Sequence, residues 1–478
     1  MSSSPIILWF RRDLRLSDHP ALHEAAETGR PVIPVFLDDE VTTTLGAAPR
    51  FRLGLAVEAF GDALGRHGSH LILRRGRALE ALRALIAETG ARAVWWTRAY
   101  DPDSKARDTE VKAALKAEGI DARSFSGAVL FEPWTVETGQ GGYYKVYSPY
   151  WRAVKDRDPG LPLPRPARII APEVWPASDS LSDWRMDAPM RRGAGIVRRW
   201  QSPGEDAAAD MLGEFLERRV EGYKARRDFL AEDATSGLSE GLTYGEISPR
   251  TIWHAGRRAM EEGAAGAEHF LKELVWREFA WHLAHHCPGL ATENWRPEWA
   301  GFPWETDEDR PEVVAWEQAR TGIPAVDAGL REMYVTGRMH NRARMIVASY
   351  LTKHLMADWR IGMRWFADCL TDWDWAANAM GWQWVAGCGP DAAPYFRVFN
   401  PVGQQEKFDP DQTYIRRWIA EGQGKPPDAA MAYLDAVPRS WGLRADAAYP
   451  SPMVTPDAGR RRALAAYEGW KDSGTSGR

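Results

Sequence analysis

The stretch TDWDWAANAMGWQW, residues 371–384, puts carboxylates, an amide and several indoles into one short segment. Read as a helix, it places Asp374, Asn378 and Trp382 at successive intervals of four on one face, with Asp372 positioned to cap the start. A carboxylate, an amide and an indole on one face point to a buried polar ligand inside a helical core. Two other segments share this character. In ELVWREF (273–279) the spacing puts Glu273, Trp276 and Arg277 on one helix side. In MHNRARM (339–345) Asn341 and Met345 share a face with Arg344 beside them.

Outward from these segments, the chain from about residue 203 reads as amphipathic helices joined by Gly and Pro turns. Upstream, Pro159, Pro162, Pro164, Pro166, Pro172 and Pro176 are too closely spaced for regular structure, which predicts a long connector. The first 130 or so residues alternate strand and helix patterns. Strands are expected at Ile6–Phe10, Val32–Leu37, His70–Leu73 and Ala93–Trp96, and helices over about 51–67, 78–89 and 104–118, after a first helix opened by Asp18 and Pro20. The fold expected is an α/β N-terminal domain with a parallel, Rossmann-like sheet, followed by an all-α C-terminal domain. The boundaries are 1–132, a connector over 133–202, and 203–478. No G-x-G-x-x-G follows any strand, so a flavin is not expected on this sheet.

The chain has 478 residues and a net charge of -5, which disfavours general affinity for nucleic acid and leaves DNA binding to local patches. Arginine pairs recur at 191/192, 198/199, 218/219, 226/227, 257/258 and 416/417. The 3 cysteines cannot form a disulfide framework or a four-thiolate cluster. No stretch reads as a signal peptide or membrane span, so a soluble, cytoplasmic protein is expected. Glu278, His282 and His285, with His286 adjacent, lie at helical spacing, yet no water-activating H-E-x-x-H accompanies them. A surface histidine cluster is the better reading, and no metal is assigned.

Taken together, WFRRDLRLSDHPAL (9–22), TSGLSEGLTYGEISPR (235–250), ELVWREF (273–279), TGIPAVDAGLR (321–331), RMHNRARM (338–345) and DWDWAANAMGWQWVAGCGPDAAPYFRVFNP (372–401) resemble the photolyase and cryptochrome family, in particular a class I cyclobutane pyrimidine dimer photolyase. The resemblance spans nearly the whole chain. It implies an α/β antenna domain, and a helical domain that holds FAD in a U shape. Tyr223, Thr235, Ser236, Gly237, Leu238 and Ser239 then fall on its phosphate side. Arg277, Arg344, Asp372, Asp374 and Asn378 fall along the rest of the cofactor, with Asn378 facing flavin N5. Gly237 stands where the family usually has arginine, and Glu240 where it usually has proline.

The resemblance also implies a DNA site lined by Arg227, Glu273, Trp276, Asn341, Arg342, Met345, Trp384 and Gln404. Photolyases extrude their damaged bases into a pocket, for which Trp276 and Trp384 are candidate walls. His340 stands alone, whereas enzymes for the (6-4) photoproduct carry paired histidines here. Trp304, Trp359 and Trp382 match a chain that relays electrons to the flavin. The implied activity is light-driven splitting of cyclobutane dimers by electron transfer from reduced FAD, with Glu273 and Asn378 in direct roles.

UV-damaged DNA is the expected partner of a monomer needing no membrane or obligate protein, in a bacterial cytoplasm and associated with the nucleoid when bound to DNA. The alternative is a cryptochrome-type blue-light receptor, disfavoured by the intact pocket and the short tail after about Trp470. Relatives hold an antenna chromophore, methenyltetrahydrofolate or 8-hydroxy-5-deazaflavin. Their GAASRWW stretch reads here as Gly46-Ala47-Ala48-Pro49-Arg50-Phe51-Arg52, which leaves the choice between these, or none, open.

Overall fold

The computed structural model describes residues 4–392 and 394–474. A five-stranded parallel sheet has the order β3-β2-β1-β4-β5, formed by β1 (Ile6–Phe10), β2 (Val32–Asp38), β3 (Ile72–Arg75), β4 (Ala93–Thr97) and β5 (Asp121–Phe125). Every residue of β1 is buried, as a central strand covered on both faces requires. The crossovers are α1 (Pro20–Glu27), α2 (Ala47–Arg66), α3 (Ala78–Thr89) and α4 (Pro102–Ala117).

The sequence reading needs local correction. Strand β3 begins at Ile72 rather than His70, and α2 begins at Ala47. Strand β5 was not anticipated, because DARSF carries little apolar alternation and sits at the sheet edge. The cap of α1 is His19, whose Nδ1 accepts from the Leu22 amide at 3.0 Å. Asp18 is occupied elsewhere: its carboxylate accepts from the Leu163 amide at 2.9 Å and from Ser248 and Arg250 of the helical half.

The proline-rich connector is ordered by contacts with both halves. It contains an α-helix of two turns, α5 (Tyr147–Val154), a single α-helical turn at Ala194–Val197, and short 3-10 turns. The helical half that follows includes Ala267–His286, Asn341–Ser349, Trp359–Cys369 and Trp375–Ala386, the helices that carry the candidate site. Among the described residues, no helix is long and apolar enough to cross a membrane.

A buried ionic seam joins the two halves. Arg52 on α2, fully buried, donates to both carboxylate oxygens of Glu246, at 3.0 and 2.6 Å. Beside it Glu240 accepts from Thr371 Oγ1 at 2.5 Å and pairs with Arg338. Gly245 lets the backbones meet: its φ is +67°, and a Cβ there would lie 2.2 Å from the Arg12 carbonyl oxygen. Arg15, also buried, donates to the carbonyl oxygens of Gly245 (3.0 Å) and Gly127 (2.8 Å). The RRDLRLSDHPAL motif is thus largely a docking surface for the helical half.

Removing one member of a buried ion pair strands the other charge, at a cost of about 3–5 kcal/mol. Arg52→Leu is expected to lower unfolding stability by roughly that amount, measured by urea titration.

Candidate functional site

The segment read first forms the helix Trp375–Ala386, and its cap is Asp374, not Asp372: Asp374 Oδ1 accepts from the Ala377 amide at 2.8 Å. Asp372 is instead the partner of Arg344, whose Nη2 donates to its two oxygens at 2.9 and 2.7 Å. Arg344 Nε meanwhile donates to the Met339 carbonyl at 2.9 Å, so the guanidinium is fixed from both sides. Asp374 Oδ2 also accepts from Trp281 Nε1 at 3.1 Å. Asn378 Nδ2 donates to the Asp374 carbonyl at 2.9 Å, which leaves the amide oxygen as the end available for a ligand.

These residues surround one cavity. Tyr223, Ser236, Leu238, Ser239, Arg277, Arg344, Asp372, Asp374 and Asn378 all line it, and Glu273 stands in the same wall. Thr235 and Gly237 belong to the same turn but do not line it. Gly237 has φ +70°, a conformation that disfavours the arginine implied by the family resemblance. Leu242, Thr243, Ile252, Phe270, Leu274 and Ala377 complete the wall. They went unread because apolar residues on a ligand cavity look like core in sequence.

The donor set suits FAD. Serine hydroxyls, guanidinium groups, carboxylates and an amide line the one cavity. Arg277 contributes a buried Nε with no hydrogen-bond partner, 3.7 Å from Asp374 Oδ2.

Of the residues expected to hold DNA, Glu273 lines this cavity and the others do not. Glu273 pairs with Arg227, whose guanidinium also lies 5.3 Å from the Tyr223 ring. Arg342 pairs with Asp228 at 2.6 Å and lies 4.4 Å over Phe408. Trp276 is stacked face to face on Tyr147 of α5, ring centres 3.6 Å apart and 7° from parallel, so one indole face is covered by the connector. Asn341 is exposed at the start of its helix, while Met345, Trp384 and Gln404 are half-buried, Gln404 with an unpartnered Oε1. His340 caps the Asn341–Ser349 helix through Nδ1, which accepts from the Arg342 amide at 3.1 Å, and burial pushes its pKa down to about 4. It serves as a neutral acceptor.

Comparison with known proteins agrees with this geometry. The family described as DNA photolyase matches residues 6–167, and that described as the FAD binding domain of DNA photolyase matches residues 270–469. A deoxyribodipyrimidine photo-lyase from Agrobacterium fabrum is 44% identical over 98% of this chain and 98% of its own. The chain belongs to the DNA photolyase family. A solved bacterial class III photolyase from Agrobacterium tumefaciens superposes with a TM-score of 0.90 at 43% identity, over 99% of this chain and 98% of that one. Cryptochrome-2 of Arabidopsis thaliana is 34% identical over 95% of this chain and 77% of its own length.

The three tryptophans differ in burial. Trp382 and Trp359 are buried and Trp304 is half-buried. Trp304 is held near Trp359 by a parallel bridge between Glu305 and Ala357, and Asp358 donates to the Glu305 carbonyl at 2.9 Å. Trp359 Nε1 donates to Asn294 at 2.9 Å.

The histidine cluster differs from its reading as a surface feature. His282 is fully buried, accepting from the Tyr144 amide at 3.1 Å through Nε2, with Nδ1 3.2 Å from the Pro133 carbonyl. Glu278 is buried too, accepting from the Leu130 amide at 2.6 Å, and burial raises its pKa to about 7 against the lowering effect of Arg277. His282 fastens the connector to the Ala267–His286 helix, and Glu278 fastens the end of the α/β half to it at Leu130.

Gly362 makes room for the innermost ring. A Cβ there would lie 2.1 Å from a Trp382 ring atom. Gly362→Ala is therefore expected to cost about 1–3 kcal/mol and to slow blue-light reduction of the flavin, measured by thermal unfolding and by bleaching of the flavin band.

Proposed function

We propose that this chain repairs cyclobutane pyrimidine dimers in DNA, using light absorbed by bound FAD. The observation that carries the reading is that Glu273, on the DNA side, and Asn378, on the flavin side, line one continuous cavity. FAD, when bound, supplies the electron that splits the dimer and takes it back afterwards. The protein's part is orientation and electrostatics, as in other enzymes whose cofactor carries the hard chemistry.

Each side chain has a defined task in this proposal. Asn378 presents its amide oxygen as an acceptor, which suits a protonated N5 and so the fully reduced cofactor. Arg344 and Asp372 hold each other at the wall, so neither moves when charge shifts nearby. Glu273 is the carboxyl that hydrogen-bonds the flipped dimer, and Arg227 orients it. Trp276, backed by Tyr147, and Trp384 are the apolar walls that replace base stacking. Arg342, Asn341, Met345 and Gln404 complete the rim. Trp382, Trp359 and Trp304 form the route by which oxidised flavin is rereduced.

The cleft between sheet and helical half, bounded by Arg11, Thr44, Gly46, Tyr100 and Trp373, is the place for a second, antenna chromophore. Because Phe51 and Arg52 are buried, and Arg52 is held by Glu246, neither reaches out to stack on it. In this reading the protein is a monomer that acts on UV-damaged DNA without an obligate protein partner. A cytoplasmic, nucleoid-associated location follows from that substrate. The cryptochrome reading is second, since Arabidopsis cryptochromes share the fold.

Glu273→Ala is expected to retain flavin while lowering the quantum yield of dimer repair about tenfold, the scale of one charge-assisted hydrogen bond. Repair yield is measured on an oligonucleotide containing one thymine dimer. An unchanged yield removes Glu273 from the reaction.

A further inference from the structure

Arg277 and Trp281 stand one turn apart on the Ala267–His286 helix, and both approach the same carboxylate, that of Asp374. Asp374 lies in a wall between two spaces. It lines the flavin cavity and also the cleft between the sheet and the helical half. Arg277 lines both spaces as well, whereas Trp281 lines the cleft and not the cavity.

Both oxygens of this carboxylate are occupied. Oδ1 accepts from the Ala377 amide at 2.8 Å, and Oδ2 accepts from Trp281 Nε1 at 3.1 Å. The Arg277 guanidinium is tethered at its far end, where Nη1 donates to the Ala128 carbonyl and to Glu278 Oε1, both at 3.1 Å. Its Nε stops 3.7 Å from Asp374 Oδ2, beyond hydrogen-bond distance, and is buried with no partner among the described residues.

A buried N–H without an acceptor costs free energy unless a ligand supplies one. A guanidinium and a carboxylate form a charge-assisted bond, stronger than one from a neutral indole. An unengaged Asp374 would therefore close on Arg277 and consume that N–H. What holds the gap open is the indole of Trp281. It is packed against the rings of Tyr100 and Trp375, with centres 6.3 and 6.5 Å away, which fixes the direction of its N–H.

We propose that Trp281 is a positioning residue for the cofactor: by occupying Asp374 Oδ2 it keeps the Nε–H of Arg277 available as a donor to bound FAD. This rests on the assignment of the cavity to FAD. Trp281 acts through Asp374 and Arg277, since it does not line the cavity itself.

The test is release of FAD from the holoprotein, followed by the flavin fluorescence that appears in solution, for the wild type, Trp281→Phe, Arg277→Lys and the double variant. Lysine keeps the charge of Arg277 and puts a methylene where Nε–H stood. Arg277→Lys is expected to speed release about tenfold, the scale of one charge-assisted hydrogen bond. Trp281→Phe is expected to speed it several-fold, and the double variant to release no faster than Arg277→Lys alone. A fifth protein carries β-(3-benzothienyl)alanine at position 281, an isostere with sulfur in place of the indole N–H. It is expected to release FAD as fast as Trp281→Phe does, whereas a role in packing alone predicts the wild-type rate. The wild-type rate in the isostere, or accelerations that multiply in the double variant, overturns the positioning by Trp281. An unchanged rate in Arg277→Lys contradicts instead the placement of Arg277 against the cofactor, which separates the two failures. If Trp281→Phe is isolated without flavin, its affinity is taken from titration with free FAD under the same criteria.

Discussion

The buried ion pair between Arg52 and Glu246 is the constraint on which the rest of the structure depends. It is one of several buried contacts between the α/β half and the helical half, and it is an ion pair with both side chains out of solvent. Glu246 also accepts from the Gly204 amide at 2.8 Å, so the pair fixes the entry to the helical half as well. Next to it, Glu240 joins Arg338 and Thr371, the residues immediately before the MHNRARM and DWDW segments. One charge cluster thereby sets the distance between the sheet and two of the three segments that build the cavity. Glu240, where the family resemblance implies proline, is a member of this cluster.

From that seam the cavity follows by short links. Thr371 is held by Glu240, which places Asp372 against Arg344 and Asp374 at the head of its helix. The helix then carries Asn378 into the cavity and Trp382 against Gly362. The connector closes the other side, where Tyr147 backs Trp276, and just before it the Leu130 amide holds Glu278. Two titrating groups in this scaffold, Glu278 and His282, do structural work in a place where their spacing imitated a metal site.

Much of this was legible in the sequence, and the failures have identifiable causes. The parallel sheet followed from strand and helix alternation, and the polar face at 374–382 followed from its period of four. Position-by-position resemblance then brought nine expected cofactor residues into one cavity. What was missed was non-local. The capping assignments at Asp18 and Asp372 failed because both carboxylates are consumed by partners far along the chain, Arg250 and Arg344. Burial of the histidine cluster depended on the connector folding over it, which a proline count does not reveal. The Trp276–Tyr147 stack joins segments that no periodicity relates.

The central claim is that the cavity couples a light-excited flavin to a dimer held beside Glu273. The most direct measurement is illumination of the photoreduced protein with a thymine dimer in single-stranded DNA, following the recovery of thymine absorbance. The account predicts loss of the dimer in the light and none in the dark. Bound flavin with no dimer loss under illumination would contradict it, and would make the blue-light receptor the better reading of the same fold.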